Sequence, residues 1–181
     1  YKRQNFDRIF GHDQRTPTAQ LRQRKRKLEI CSGAGEWAES QAKRDKDVAD
    51  WVTLELRHGR VYQTFARMVF SSVENMCALG GDANIIMAHH IAPQTVDYVF
   101  INHPEPPQQT GSGSDTCNDA SASSKASDSA NVSSSSSQAN HLLTAEFIGS
   151  LVAAALAPQG VLCICSDNLW SVSYTHLRAH E

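Results

Sequence analysis

The sequence predicts an α/β fold in which a doubly wound, mostly parallel sheet carries helices on both faces. Short apolar runs of strand length alternate with stretches of helical spacing, and a glycine turn follows the first run. This alternation is typical of parallel sheets, because each crossover between parallel strands needs a long connection, usually a helix. The 181 residues, 40% of them hydrophobic, are enough for one domain with a core.

The first half of the chain predicts a βαβα unit. "KLEIC" is a strand that enters the glycine turn "SGAGEW", and a short helix follows from Glu36 to Lys43. "DWVTLEL" is the second strand. A second helix, from Arg57 to Phe70, is predicted by apolar residues at helical spacing, namely Val61, Phe65, Met68 and Val69.

The second half predicts three further strands. "NMCAL" is the third strand, "DANIIMAHH" is a short helix and "VDYVFIN" is the fourth strand. Thr144 is a candidate N-cap for the helix "AEFIGSLVAAAL", after which "APQG" turns the chain into the fifth strand, "VLCIC".

The chain divides into a basic N-terminal extension (1–26), an α/β domain (27–171) and a tail (172–181). Within the domain, residues 108–140 are Ser, Ala, Asn, Asp and Gly with almost nothing to bury, so we expect a disordered insertion. The tail, "VSYTHLRAHE", resembles a translated sequencing-library adapter, so we expect it to be non-native.

The glycine turn predicts a site for a cofactor that contains a nucleoside. Gly33 and Gly35 allow a ligand to approach the backbone closely, and with Ala38 they form the pattern G-x-G-x-x-A. Glu55 ends the next strand, where an acid that binds ribose hydroxyls belongs. These residues alone fit both NAD and S-adenosylmethionine.

Polar residues near the strand ends favour S-adenosylmethionine. Glu29 stands in the pattern E-x-x-x-G-x-G, which lets its carboxylate reach the cationic amino-acid end of that cofactor. Asp82 and Ala83 supply an adenine edge, and Asn102 and Glu105, on a stiff proline-rich segment, close the site. NAD offers neither an ammonium nor a sulfonium group to match these acids.

These motifs resemble the tRNA (guanine-N7-)-methyltransferases, a family with the class I, Rossmann-like methyltransferase fold. The matching stretches span residues 28–167 apart from the insertion, and they are "LEICSGAGEW", "LELRHGRV", "NMCALGGDA", "VDYVFINHPEPP", "HLLTAEFIGSL" and "LAPQGVLCICSD". The family's strand-four signature is N-F-P-D-P-W followed by basic residues. This chain departs from it with Glu105 for Asp, Pro107 for Trp and Gln109 for Lys.

The resemblance implies methylation of guanine N7 in tRNA, at guanine-46 of the variable loop, with S-adenosylmethionine as the methyl donor. It implies cofactor contacts at Glu29, Gly33, Gly35, Glu55 and Asp82. Glu105 occupies the family's catalytic acid position, Asp167 matches an Asp that contacts the guanine, and Gln109 lies on the substrate side.

The resemblance also implies two strands after the fifth. We therefore expect this chain to lack the last strands of its fold and to leave strand five as a bare edge. Two alternatives stay open. One is a class I methyltransferase that acts on another RNA or a small molecule, and the other is a weakened module that binds RNA or cofactor. An accessory protein subunit is left open as a further partner.

Composition predicts the setting of this function. The first 27 residues hold nine Lys and Arg against two Asp, which fits a tRNA-phosphate patch, a nuclear-import signal or a solvated extension. Five cysteines without C-x-x-C spacing indicate a reduced, intracellular compartment, either nucleus or cytoplasm, with an organelle left open. We expect no metal site and no membrane span.

Overall fold

The computed structural model describes residues 6–11, 24–104 and 142–167. The predictions for Glu105, Gln109, the serine-rich insertion and the tail therefore lie outside the described residues.

The described strands form one parallel sheet in the order β3-β2-β1-β4-β5. The predicted doubly wound, parallel α/β fold is confirmed, and β5 lies at one edge of the described sheet. In chain order the elements are α1 (Phe6–Ile9), β1 (Lys25–Ile30), α2 (Glu36–Arg44), β2 (Ala49–Glu55), α3 (His58–Phe70), β3 (Met76–Gly80), α4 (Ala83–His89), β4 (Val96–Asn102), the π-helix π1 (Phe147–Val152), α5 (Ala153–Ala155) and β5 (Leu156–Cys165).

The central strands are buried on both faces, as continuous apolar runs predict for a parallel sheet. On one face, Leu28 lies between its register partners Val52 and Val99, and this layer packs with residues of α1, α4 and π1. On the opposite face, Trp51 packs with Ala38 and Ala42 of α2. The sheet therefore packs between helices on both faces, which gives three layers with an apolar cluster on each side of the sheet.

Helix α3 forms where it was predicted, but its buried face differs from the predicted one. Thr64 is buried, whereas Phe65 and Val69 are each more than half exposed. A helix turns by about 100° per residue, so Val61, Thr64 and Met68 share the face that packs against the rest of the domain. Apolar character alone had favoured the flanking Phe65 and Val69.

The connection into β5 also differs from a simple turn. The predicted N-cap Thr144 is confirmed, since its Oγ1 accepts a hydrogen bond from the Phe147 amide at 3.1 Å. The predicted turn "APQG" lies within the bounds of β5 as an irregularity, because Val96 pairs with Leu156 whereas Tyr98 pairs with Val161. A bulge of this kind bends the strand while it continues in the sheet.

The basic run 24–27 is held by carboxylates at the amino end of the sheet. Each of its four cations has an acidic partner, so these charges contribute to joining strands and loops. The partly buried pairs constrain the start of β1 more than exposed pairs would. The ion pairs are Arg24–Asp50 at 2.7 Å, Lys25–Asp97 at 2.8 Å, Arg26–Asp7 at 2.9 Å and Lys27–Asp45 at 2.8 Å.

Candidate cofactor-binding site

The candidate site lies at the carboxyl edge of the sheet, where the strand order reverses. β1 lies between β2 and β4, and the chain leaves β1 toward one side of the sheet and later enters β4 on the other. Crevices at such switch points are where open α/β sheets bind ligands. Three predicted site residues, Glu29, Glu55 and Asn102, meet here from the ends of β1, β2 and β4.

Glu29 and Asn102 form the centre of this edge. The Asn102 side-chain amide donates a hydrogen bond to Glu29 Oε1 at 2.9 Å, from β4 across to β1. Glu29 is only 2% exposed, and its Oε2 has no hydrogen-bond partner among the described residues. A buried carboxyl with one unsatisfied oxygen is costly, so this atom favours a donor or a cation.

The electrostatics of Glu29 follow from this burial. Desolvation raises the pKa of its carboxyl from 4.5 to about 7, and the nearby Glu36 and Glu55 carboxylates act in the same direction. The hydrogen bond from Asn102 opposes the shift because it favours the charged form. A cationic ligand beside Oε2 would lower the pKa of Glu29 again, so ligand binding and proton release are coupled here.

Glu55 supports the glycine turn. Its Oε2 accepts a hydrogen bond from the Gly33 amide and its Oε1 accepts one from the Arg57 amide, both at 2.9 Å. Each carboxylate oxygen can accept more than one hydrogen bond. Glu55 can therefore hold the turn after β1 and still accept hydrogen bonds from a ligand.

The two glycines of the turn have different surroundings. Both have positive φ, 59° at Gly33 and 79° at Gly35, which favours glycine at each position. A Cβ at Gly33 would meet no atom within 4 Å, so its backbone faces open space. A Cβ at Gly35 would lie 2.7 Å from both Thr64 Oγ1 and Thr64 Cγ2. Gly33 can therefore approach a ligand, whereas Gly35 lets α2 and α3 approach each other.

Asp82 and Ala83 lie in the turn after β3. Asp82 caps α4, with Oδ1 accepting hydrogen bonds from the amides of Asn84 at 2.8 Å and Ile85 at 3.3 Å. Asp82 is exposed, and its Oδ2 is not used in the cap. The Gly81 amide donates to the Glu55 carbonyl at 3.0 Å, which brings this turn against the end of β2.

Asp167, predicted to contact the substrate, lies beyond β5 at the same edge of the sheet. It is highly exposed, and its Oδ1 lies 3.7 Å from His103 Nδ1. Glu105 and Gln109 lie outside the described residues. The structure thus brings Glu29, Glu55 and Asn102 together, with Gly33 held by Glu55, and sets Asp167 to the β5 side.

Sequence reasoning missed Ser32, the first residue of the turn "SGAG". Its hydroxyl is buried and has no hydrogen-bond partner among the described residues, although its carbonyl accepts from the Gly35 amide at 3.0 Å. A buried hydroxyl without a partner indicates space for a polar ligand atom or water. Its place in the glycine turn was the only sequence signal for it.

In the described parts of the chain, no group of three or more His, Cys, Asp and Glu side chains could hold a metal ion. The helices within residues 6–11, 24–104 and 142–167 are all too short or too polar to cross a membrane.

Comparison with known proteins identifies a methyltransferase relationship. Residues 23–110 match the model of a family described as "Putative methyltransferase". The tRNA (guanine-N(7)-)-methyltransferase of Chlamydia felis is 33% identical over 102 residues, which are 56% of this chain and 41% of that protein. The corresponding Chlamydia abortus protein is 31% identical over 43% of this chain and 34% of its own length.

A solved structure shows the same fold. An rRNA methylase from Streptococcus thermophilus superposes with a TM-score of 0.51 at 10% identity, covering 88% of this chain and 71% of the methylase. The resemblance to the tRNA (guanine-N7-)-methyltransferase family and the class I fold predicted from the sequence are both confirmed. The chain spans about two fifths of the length of the Chlamydia felis relative.

Proposed function

We infer that this chain, as a member of the tRNA (guanine-N7-)-methyltransferase family, binds S-adenosylmethionine and forms the cofactor half of an enzyme that methylates guanine N7 in tRNA. The position within the tRNA that we propose is guanine-46 of the variable loop. Names of relatives support the reaction class, and the site supports the cofactor.

The unsatisfied oxygen of Glu29 carries the cofactor proposal. It lies buried at the switch point beside Asn102, at the same edge of the sheet as the open backbone of Gly33. A cationic ammonium group on the ligand would compensate this carboxylate, and S-adenosylmethionine carries one at its amino-acid end. NAD has no such group, so Glu29 favours S-adenosylmethionine over NAD.

Glu55 and Asp82 complete the proposed contacts to the nucleoside. Each Glu55 oxygen retains a lone pair while Glu55 holds Gly33, so we propose that Glu55 also accepts hydrogen bonds from ribose hydroxyls. Asp82 Oδ2 and the half-buried Ala83 lie in the turn after β3. Because β3 is next to β2 in the sheet, we propose that the adenine binds here, beside the ribose contact at Glu55.

The chemistry demands positioning more than proton transfer. When bound, the cofactor supplies a methyl group on a sulfonium, and guanine N7 carries an in-plane lone pair that needs no deprotonation. The protein's task is therefore to hold the base in line and to exclude water. We propose that Glu105 and Asp167 accept hydrogen bonds from the guanine edge, with Gln109 on the tRNA side.

Calorimetry tests the cofactor assignment on residues 1–181. We expect S-adenosylmethionine to bind in preference to NAD, and Glu29→Gln to weaken binding about 10- to 100-fold, since a hydrogen bond to a charged group contributes about 1.5–3 kcal/mol. The matched control is Glu74→Gln, the same change at an exposed glutamate after α3. Equal affinities for the wild type and Glu29→Gln would refute the role of Glu29.

Transfer of a tritiated methyl group to bulk tRNA tests the reaction. Strand cleavage chemistry specific for 7-methylguanine identifies the product, and mapping the cleavage position tests guanine-46. Label in another base would favour a different RNA methyltransferase. Cofactor binding without any transfer would favour a binding module only in a version of the protein that also has the strands expected after β5.

A further inference from the structure

A cysteine, a histidine and an aspartate lie together where β4 and β5 end. Cys165 Sγ lies 3.9 Å from His103 Nε2, and His103 Nδ1 lies 3.7 Å from Asp167 Oδ1. The backbone fixes this arrangement, because the His103 amide donates to the Cys165 carbonyl at 2.7 Å. His103 has a φ of 47°, a conformation that non-glycine residues adopt rarely.

A thiol beside an imidazole that in turn lies beside a carboxylate is the arrangement that activates a thiol nucleophile. One imidazole nitrogen faces the thiol, and the other faces a carboxylate that orients the ring. Contacts of this kind are often longer in the absence of a ligand than during reaction. Cys165 is exposed, so a small electrophile can reach its sulfur.

The neighbouring cysteine offers a direct comparison. Cys163 lies two residues earlier on β5, on the same face of the sheet, and is also exposed. It has no imidazole contact among the described residues. Cys77, in contrast, is only partly exposed, and desolvation raises the pKa of its thiol to about 12. The surroundings therefore distinguish Cys165 from these two cysteines.

We propose that Cys165 is a reversible modification site that undergoes thiol–disulfide exchange with low-molecular-weight disulfides, with His103 as the base and Asp167 as a positioning residue. The Cys165 proton passes to His103 Nε2, and the thiolate attacks one sulfur of the disulfide. A new S–S bond forms at Cys165, the original S–S bond breaks, and its electron pair leaves with the departing thiolate. Cys165 is oxidised and half of the small disulfide is reduced.

The location gives this modification a place beside the candidate site. Cys165 pairs in register with Asn102 of β4, and Asn102 in turn contacts Glu29. A group added to Cys165 would therefore lie one strand away from the Glu29–Asn102 pair. The exchange itself does not depend on methyl transfer, so its test is independent of the proposed function.

The experiment uses residues 1–181 and glutathione disulfide as the probe. Mass spectrometry of proteolytic peptides follows the mixed disulfide at each cysteine with time. We expect Cys165 to react about tenfold faster than Cys163 at pH 7, because only the thiolate attacks and, of these two cysteines, Cys165 is the one with an imidazole beside it among the described residues. Equal rates at the two cysteines would overturn the proposal.

Two variants test the roles of His103 and Asp167. His103→Asn removes the base while retaining a residue type that tolerates positive φ, and we expect the Cys165 rate to fall to that of Cys163. Asp167→Asn removes the carboxylate charge beside His103 Nδ1 and should lower the Cys165 rate, whereas Asp167→Glu retains the charge and should restore most of it. An unchanged rate in His103→Asn, with thermal unfolding also unchanged, would disprove the role of His103.

Discussion

The Asn102 amide donates a 2.9 Å hydrogen bond to Glu29 Oε1 and so links β4 to β1 at the point where the strand order reverses. Asn102→Ala removes this donor, so the buried Glu29 Oε1 loses its hydrogen bond from Asn102. We expect a loss of about 1–3 kcal/mol in the free energy of unfolding, and a larger loss at pH 8 than at pH 6, because the hydrogen bond favours the charged form. Urea unfolding at both pH values measures this, with Asn84→Ala, an exposed asparagine on α4, as the control.

The pKa of Glu29 predicts a pH dependence of stability. Burial raises this pKa from 4.5 to about 7, so the folded state binds the proton more tightly than the unfolded state. The associated stability is fully present below pH 4.5 and is lost as the pH rises through about 7. We expect this contribution to be about 3 kcal/mol, and Glu29→Gln to remove it.

Urea unfolding of both proteins between pH 4.5 and 8 measures the difference. The wild type should lose stability relative to Glu29→Gln across this range. Parallel curves for the two proteins would contradict the raised pKa.

The contrast between Gly35 and Gly33 predicts unequal costs for the same substitution. Gly35→Ala would place a Cβ 2.7 Å from the Thr64 side chain at positive φ, and we expect a loss of about 3 kcal/mol from overlap and strain. Gly33→Ala has open space and should lose only about 1 kcal/mol from strain.

Thermal or urea unfolding compares the two variants. Adding Thr64→Ala to Gly35→Ala should recover about 1 kcal/mol relative to the sum of the single losses, because the two sites are in contact. Additive losses would show that Thr64 is not the obstacle.

Asp82 allows its capping role to be separated from its proposed cofactor role. Asp82→Ala removes the cap of α4 and should cost about 1 kcal/mol, whereas Asp82→Asn keeps an accepting oxygen and should cost only a few tenths. If the charge also binds the adenosyl group, Asp82→Asn should weaken S-adenosylmethionine binding with little loss of stability. Unfolding and calorimetry on both variants measure the two effects, and unchanged binding in both would leave Asp82 as a cap alone.

Periodicity was sufficient for most of the fold. The alternation of apolar strands and amphipathic helices predicted each of the five strands and their parallel arrangement, because burial on both faces demands continuous apolar runs. It failed on the face of α3, where Phe65 and Val69 are exposed. Which face of a helix packs inward depends on the rotation of the helix about its own axis, and here the close approach of Thr64 to Gly35 determines it rather than hydrophobicity alone.

The sequence by itself determined the residue types at the site: Glu29 before the glycine turn, Glu55 at the end of the next strand and Asn102 after the fourth apolar run. Only the tertiary structure decided their roles, because hydrogen bonds and desolvation depend on distances between residues far apart in the chain. It joined Glu29 to Asn102 across 73 residues, assigned Gly35 to helix packing and placed His103 against Cys165. The order of the strands explains these contacts, because residues at the ends of adjacent parallel strands lie at one edge of the sheet wherever they occur in the sequence.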